Sequence, residues 1–434
     1  MRRRTAVSAV VVGLVFLVVA AAGYYTAAVD RAAARQQEAV PAADPLAASI
    51  EAAQQRLTDV PADHLTWAQL GSAYVEQARV TADPSYYDKA DGALRQSLDL
   101  RPVGNDAALA GQGALANARH DFTTAADLAG QALAINAYSA TAWGVLTDAR
   151  TQLGDYAGAA EALQRMLALK PGLASFTRAS YDAELHGDLA GARSALEQAL
   201  ATTDGGTGEA FCRNHLGGLA FAAGDLEEAA AQYAAGLEAV PGDPALLLGR
   251  ARVLAARGQT TAAVEAFRSV VAARPLPEHL VEFGEYLESQ GREADADQQF
   301  ALLGTVRGLF AASGVTDDLT TALFAADHGD PATALAAAEA EFGRRQNIDA
   351  HDALAWALHS AGRDGEALPH AQQATGLGGA GALFLYHRGV IEAGVGQVDS
   401  ARATLTRALD TNPYFSPLHA PRAAELLASL GGRP

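Results

Sequence analysis

The sequence predicts an all-α protein made of repeated pairs of short helices. Residues 140–173 carry apolar side chains at helical spacing on both sides of Gly154 and Asp155. Because Gly ends a helix at little cost and Asp caps the next one, this stretch is predicted to be a helical hairpin. Small and aliphatic residues dominate the chain, and the alternation typical of β-strands is absent. A single hairpin cannot bury both of its faces, so we expect it to recur.

The hairpin pattern does recur, in phase, through most of the chain. Counting from Gly154, a glycine returns at intervals of 33 to 38 residues. The seven later positions are Gly187, Gly224, Gly258, Gly291, Gly329, Gly362 and Gly396. Seven residues before each of these glycines stands a small residue, and five residues after each stands an alanine. Two helices can cross closely only where neither carries a bulky side chain, so these positions are predicted to be helix crossings.

Nine residues after most of these glycines stands a bulky residue, and prolines end four of the units, at Pro171, Pro241, Pro275 and Pro413. This pattern of small, alanine, bulky and proline positions resembles the tetratricopeptide repeat family, whose period is about 34 residues. The resemblance covers about residues 64–413. It implies a right-handed α–α superhelix, a solenoid of about ten helix-turn-helix repeats. It also implies a scaffold that binds a protein or peptide on its concave face, with no enzyme activity and no cofactor. The Lys and Asn clamp of chaperone-tail-binding members is not reproduced, so an acidic C-terminal tail is not the expected ligand.

The composition excludes several classes of function. A formal net charge of −18 argues against nucleic acid as a partner, because that partner requires clustered Lys and Arg. The acidity is explained either by solubility or by a basic partner. Cys212 is the only cysteine, so no internal disulfide and no cysteine zinc site can form. The histidines lack the spacing of a metal site, and no metal ion is predicted.

The N-terminal region predicts a membrane segment. Three arginines at positions 2–4 precede an uncharged run at residues 5–29, which as a helix would reach roughly 37 Å and span a bilayer. The interpretation is a single-pass anchor in the cell membrane with the repeats extracytoplasmic. The alternative is a signal peptide cleaved near residues 20–22, which would give a secreted protein. The predicted organisation is residues 1–29 as anchor, 30–63 as linker and capping helix, 64–413 as repeats and 414–434 as C-terminal capping helix.

Two sets of side chains are predicted to line the concave face. In the seventh repeat four glutamates fall within an arc of roughly 120° of one helix; they are Glu278, Glu282, Glu285 and Glu288. This acidic stripe is expected to attract a basic ligand, unless it is only a solvated face or Glu285 pairs with Arg252. Repeats nine and ten offer an aromatic patch; its members are Trp356, His359, Tyr386 and His387. Trp356 is equally compatible with a structural role.

Residues 376–381 match the glycine pattern of dinucleotide-binding loops. The pattern requires a preceding strand, and here helices flank it, so it is interpreted as a turn between repeats nine and ten. The predicted function is a membrane-anchored extracytoplasmic scaffold for a protein or peptide. Alternatives are a self-assembling homo-oligomer of the cell envelope and, less favoured, an enzyme with an unrecognised site.

Overall fold

The computed structural model describes residues 45–81, 83–312, 315–379 and 381–432. These residues form 22 α-helices and no strand, as the sequence predicts. The chain divides into two units, Met1–Ala52 and Ala53–Pro434. The membrane segment predicted at residues 5–29 lies outside the described residues, and within the described part no helix meets the length and hydropathy that a bilayer span requires.

One helix precedes ten helical pairs, and one follows them. The helices of the first half are α1 Pro45–Asp59, α2 His64–Thr81, α3 Tyr86–Leu100, α4 Asp106–Ala118, α5 Phe122–Ile135, α6 Ala140–Leu153, α7 Tyr156–Leu169, α8 Leu173–Leu185, α9 Leu189–Leu200, α10 Gly206–Ala222 and α11 Leu226–Ala239. Those of the second half are α12 Pro244–Ala256, α13 Thr260–Ala273, α14 Pro277–Ser289, α15 Glu293–Ala312, α16 Asp318–Asp327, α17 Pro331–Arg344, α18 Ile348–Ser360, α19 Asp364–Ala374, α20 Ala382–Gly394, α21 Val398–Thr411 and α22 His419–Ser429. Repeat one is the pair α2 and α3, and repeat ten is the pair α20 and α21.

The recurring glycines end the first helix of each pair. All eight have positive φ angles, between 69° and 84°, a conformation that glycine adopts without steric cost. In repeat two the equivalent residue is His120, which has a φ of 62° and is the only described residue other than glycine with positive φ. In repeats three, four, five and eight an aspartate follows the glycine and caps the second helix; for example, the Asp155 side chain accepts the Gly158 N–H.

The helices cross at the predicted small residues. The alanine five residues after each glycine is almost fully buried in all eight repeats. At the partner positions a larger side chain would not fit. A Cβ atom on Gly217 would lie 2.5 Å from the Tyr233 ring, and one on Gly284 would lie 2.2 Å from the Phe300 ring. The small residues of the pattern therefore lie where the two helices of a repeat approach each other closely.

The contacts of this chain extend beyond neighbouring repeats, whereas in a simple solenoid each repeat contacts only its neighbours. Turns within repeats one to five contact loops that follow repeats six to ten, and we call this set of contacts the seam. Its hydrogen bonds join residues 191 to 195 positions apart. They run from Arg274 to Val80 O, from Arg345 and Asn347 to Gln152, from the Ile348 N–H to Tyr156 Oη, and from Asn412 to Phe221 O.

Close backbone contacts fill the middle of the seam. The Gly379 N–H donates to Leu185 O at 3.1 Å. A Cβ atom on Gly379 would lie 1.9 Å from Glu184 O, and one on Gly154 would lie 2.6 Å from Gln346 O. Gly378 and Gly379 of the glycine-rich stretch thus pack against the turn of repeat four, which explains why these two positions must lack a side chain.

Candidate functional site

A cavity of about 820 Å3 opens within the unit Ala53–Pro434. Its walls are the first helices of repeats six, seven, eight and ten, together with residues 412–421. The seam closes one side, because Asn412 and Phe221 both line the cavity and are joined by a 3.0 Å hydrogen bond. The volume lies within the range of ligand pockets, about 300–1,000 Å3.

Three of the four predicted glutamates lie on this cavity wall. Glu278 is exposed, whereas Glu282 and Glu285 are half-buried. Glu288 is not part of the lining, and its Oε2 lies 3.3 Å from His328 Nε2. The structure therefore brings Glu278, Glu282 and Glu285 together and directs Glu288 to a histidine of the next repeat.

Arg252 pairs with Glu282 and not with Glu285, the pairing considered from sequence. Its Nε and Nη2 donate to the two Glu282 oxygens at 2.6 and 2.7 Å, a bidentate geometry. The register explains the choice, since Arg252 and Glu282 are 30 residues apart on the first helices of adjacent repeats. Glu282 is thereby neutralised, and Glu285 is left without this cation.

Glu285 is the half-buried carboxyl of this wall that no basic side chain of the described residues pairs with. No hydrogen bond joins its carboxyl to any described residue. Burial, followed by the negative charges of Asp327, Glu282 and Glu288, raises the pKa of Glu285 to about 8. Arg422 acts in the opposite direction but too weakly to restore the ordinary value. At neutral pH this carboxyl is therefore largely protonated, and a cation placed beside it would favour its ionised form.

Asp327 forms the second carboxylate of the wall. Trp356 Nε1 donates to its Oδ1 at 2.7 Å, and His419 Nε2 lies 3.4 Å from its Oδ2. Burial opposes ionisation, but the hydrogen bonds from His419 and Trp356 hold the pKa of Asp327 below its usual value. Asp327 is therefore ionised, and Trp356 and His419 supply part of its hydrogen bonding.

The predicted aromatic patch is largely buried. Trp356, Tyr386 and His387 are only 6 %, 4 % and 1 % exposed. The Trp356 ring stacks on His387 with centroids 4.1 Å apart, and on its other side it lies 4.8 Å from His359. His359 Nδ1 is 2.5 Å from Asp364 Oδ1. Of these four, His387 alone belongs to the cavity lining. Burial favours the structural role for Trp356 that the sequence left open.

Sequence reasoning missed several residues of the wall. Asp327 stands two positions before Gly329, one of the recurring glycines, where the pattern predicts only the end of a helix. Tyr414, Phe415 and His419 follow the last repeat and were interpreted as the approach to a capping helix. The one available signal was the density of aromatic and proline residues at 413–419, which is unusual for a plain linker.

In the part of the chain that the structure describes, no group of three or more His, Cys, Asp or Glu side chains is placed to hold a metal ion. Cys212 is fully buried, and burial raises the pKa of its thiol to about 11, so it acts as a packing residue.

Comparison with known proteins supports the repeat interpretation. Residues 179–244, 215–276 and 248–302 match the tetratricopeptide repeat family. No curated protein matches the chain. Among solved structures, similar chains include a tetratricopeptide repeat protein from Parabacteroides merdae, with 18 % identity over 59 % of this chain and 98 % of that one at a TM-score of 0.35.

A thermophilic TPR protein from Thermus thermophilus is 23 % identical over 43 % of this chain and 98 % of its own, with a TM-score of 0.38. Yeast Tom70 is 11 % identical over 89 % of this chain and 95 % of its own, with a TM-score of 0.39. These identities and scores are too low to transfer a partner or an activity. The family match covers residues 179–302, and helical hairpins in the same register run from residue 64 to residue 411.

Proposed function

We propose that this chain is a tetratricopeptide repeat scaffold that binds an extended segment of a partner protein in the cavity. The observation that carries the proposal is the cavity itself, built from first helices of the repeats and closed by the seam. Its lining combines aromatic side chains with the carboxyl of Glu285, which pairs with no basic side chain in the described part of the chain and which a cation would ionise. The partner segment is therefore proposed to be basic. Few polar groups set among apolar ones are typical of binding pockets.

A cavity-filling substitution tests this function. Thr320 lines the cavity and belongs to no hydrophobic cluster, so Thr320→Trp should fill part of the space without disturbing the core. We expect chemical crosslinking in intact cells, followed by mass spectrometry, to recover fewer partners with this variant. Thr305→Trp is the matched control because Thr305 is exposed and outside the cavity. Equal recovery of the same partners with Thr320→Trp would contradict the proposal.

We further propose that the repeats lie outside the cytoplasm, anchored by residues 5–29. This rests on the sequence alone, namely the arginines before an uncharged run long enough to span a bilayer. Protease added to intact, wall-stripped cells should digest the repeats. Their survival, with digestion in permeabilised cells, would place them inside.

A further inference from the structure

The cavity lining contains two buried imidazole nitrogens without a hydrogen-bond partner among the described residues. His387 Nδ1 lies 3.0 and 2.9 Å from the two Asp352 oxygens. Because a carboxylate only accepts, Nδ1 must carry a hydrogen, so in the neutral ring Nε2 bears a lone pair. His387 is 1 % exposed, and its Nε2 has no partner among the described residues.

His419 repeats this arrangement on the facing helix. Its Nε2 lies 3.4 Å from Asp327 Oδ2 and is therefore assigned the hydrogen, which leaves Nδ1 as an acceptor. Burial lowers the pKa of His419 despite the neighbouring Asp327, so the ring is neutral near pH 7. His419 is 3 % exposed, and its Nδ1 is likewise unpartnered in the described structure.

The charged groups point to the same kind of ligand. Glu285 has no hydrogen-bond partner in the described residues, and Arg252 is committed to Glu282 through two bonds. The wall therefore presents two imidazole nitrogens without a donor, and a carboxyl that can accept donors once a cation favours its ionised form. A buried acceptor without a donor is unfavourable, so a ligand that supplies donors gains at both imidazole nitrogens.

We infer that the cavity binds the guanidinium group of an arginine side chain, with Glu285 as its counter-ion and His387 and His419 as hydrogen-bond acceptors. A guanidinium carries five N–H donors and no acceptor, which complements this wall. Its flat faces also suit the aromatic rings of Phe324, Phe384 and Phe415 in the lining. The inference that the arginine belongs to a peptide segment rests on the proposed function.

Proton linkage gives the inference a signature that a purely structural carboxyl would lack. Burial and neighbouring carboxylates raise the pKa of Glu285 to about 8, and guanidinium prefers the ionised form. Affinity should therefore rise as pH increases from about 6 to 8 and then level off. The charged groups that act on Glu285 are Glu282 and Glu288 on its own helix, Asp327, and Arg422 on the last helix. Arg252 pairs with Glu282, and His419 and His387 lie near Asp327.

The test compares two synthetic pentapeptides, acetyl-Gly-Ala-Arg-Ala-Gly-amide and its citrulline analogue, by isothermal titration calorimetry on the purified repeats. Citrulline keeps the shape of arginine but is neutral. We expect arginine to bind at least about tenfold more tightly, the equivalent of one hydrogen bond to a charged group. Glu285→Gln should remove that difference and its pH dependence. Glu265→Gln, which changes an exposed glutamate outside the cavity, should leave both unchanged.

Other outcomes overturn the inference separately from the proposed function. Equal affinity for the two peptides, or no binding of either, contradicts guanidinium recognition, and the proposed function still stands if Thr320→Trp loses partners. Agmatine carries a free guanidinium without a peptide. If agmatine binds as tightly as the arginine peptide, the ligand is a small cation, and the peptide assignment is wrong.

Discussion

Gly379→Ala is expected to lower the free energy of unfolding of the repeats by about 1–3 kcal/mol, the usual cost of forcing an extra carbon into a packed contact. The new methyl group would lie 1.9 Å from Glu184 O, a backbone atom that cannot rotate away. The loop must then separate from the turn of repeat four, and the hydrogen bond from the Gly379 N–H to Leu185 O is lost.

Urea denaturation measures this cost, and hydrogen exchange at residues 184–188 locates it. Gly381→Ala is the control from the same loop, since a Cβ atom there meets nothing within 4 Å and its φ is −62°. Faster exchange near residue 185 in the Gly379 variant alone would show that the seam opened. Wild-type stability in Gly379→Ala would mean that the distant repeats do not touch.

Trp356→Ala should cost about 3–5 kcal/mol, as expected for truncation of a buried large aromatic residue. The indole is 6 % exposed, stacks on His387, and donates to Asp327 at 2.7 Å. Its removal leaves a void behind the cavity wall and deprives Asp327 of a donor. Because Trp356 is buried and does not line the cavity, its truncation is expected to lower stability and not to remove a contact with the partner.

Thermal and urea denaturation of Trp356→Ala and Trp143→Ala provides the comparison. Trp143 is only half-buried, and its Nε1 donates to Ala137 O at the protein surface, so its truncation removes less buried area. We expect the Trp143 variant to lose less stability. An equal or smaller loss for Trp356→Ala would contradict the burial of Trp356.

The periodic part of the structure could be predicted from sequence because helix crossings impose small residues at fixed spacing. The buried alanines follow from that constraint, whereas the glycine turns and the aspartate caps follow from the need to end one helix and begin the next. His120 occupies the place of the glycine in repeat two, and it adopts the left-handed conformation that glycine has elsewhere.

The seam could not be predicted in the same way. It joins loops and turns that are 191 to 195 residues apart, and backbone contacts such as Gly379 to Leu185 leave no periodic side-chain signal. The helical register of repeat seven places Glu285 on the cavity wall, but it does not show which glutamate pairs with Arg252. Arg252 lies on the neighbouring helix, and the rotation between repeats decides which glutamate it meets.

The seam also changes the expected unfolding behaviour. A solenoid with contacts between neighbours alone unfolds approximately as a one-dimensional array. Here the seam contacts join turns in the first five repeats to loops that follow the last five. A substitution that destabilises either half is therefore expected to destabilise the other half as well. Both substitutions discussed above should therefore destabilise more of the chain than a neighbour-only array would allow.

Site-specific photo-crosslinking in intact cells tests the central claim, that partners enter the cavity, most directly. p-Benzoylphenylalanine is placed at Val281, which lines the cavity, and separately at Val398, which is 42 % exposed outside it. The account predicts that position 281 crosslinks to an arginine-containing segment of a partner, and that position 398 does not crosslink to that segment. Crosslinking of the same partner from position 398, with none from position 281, would contradict it.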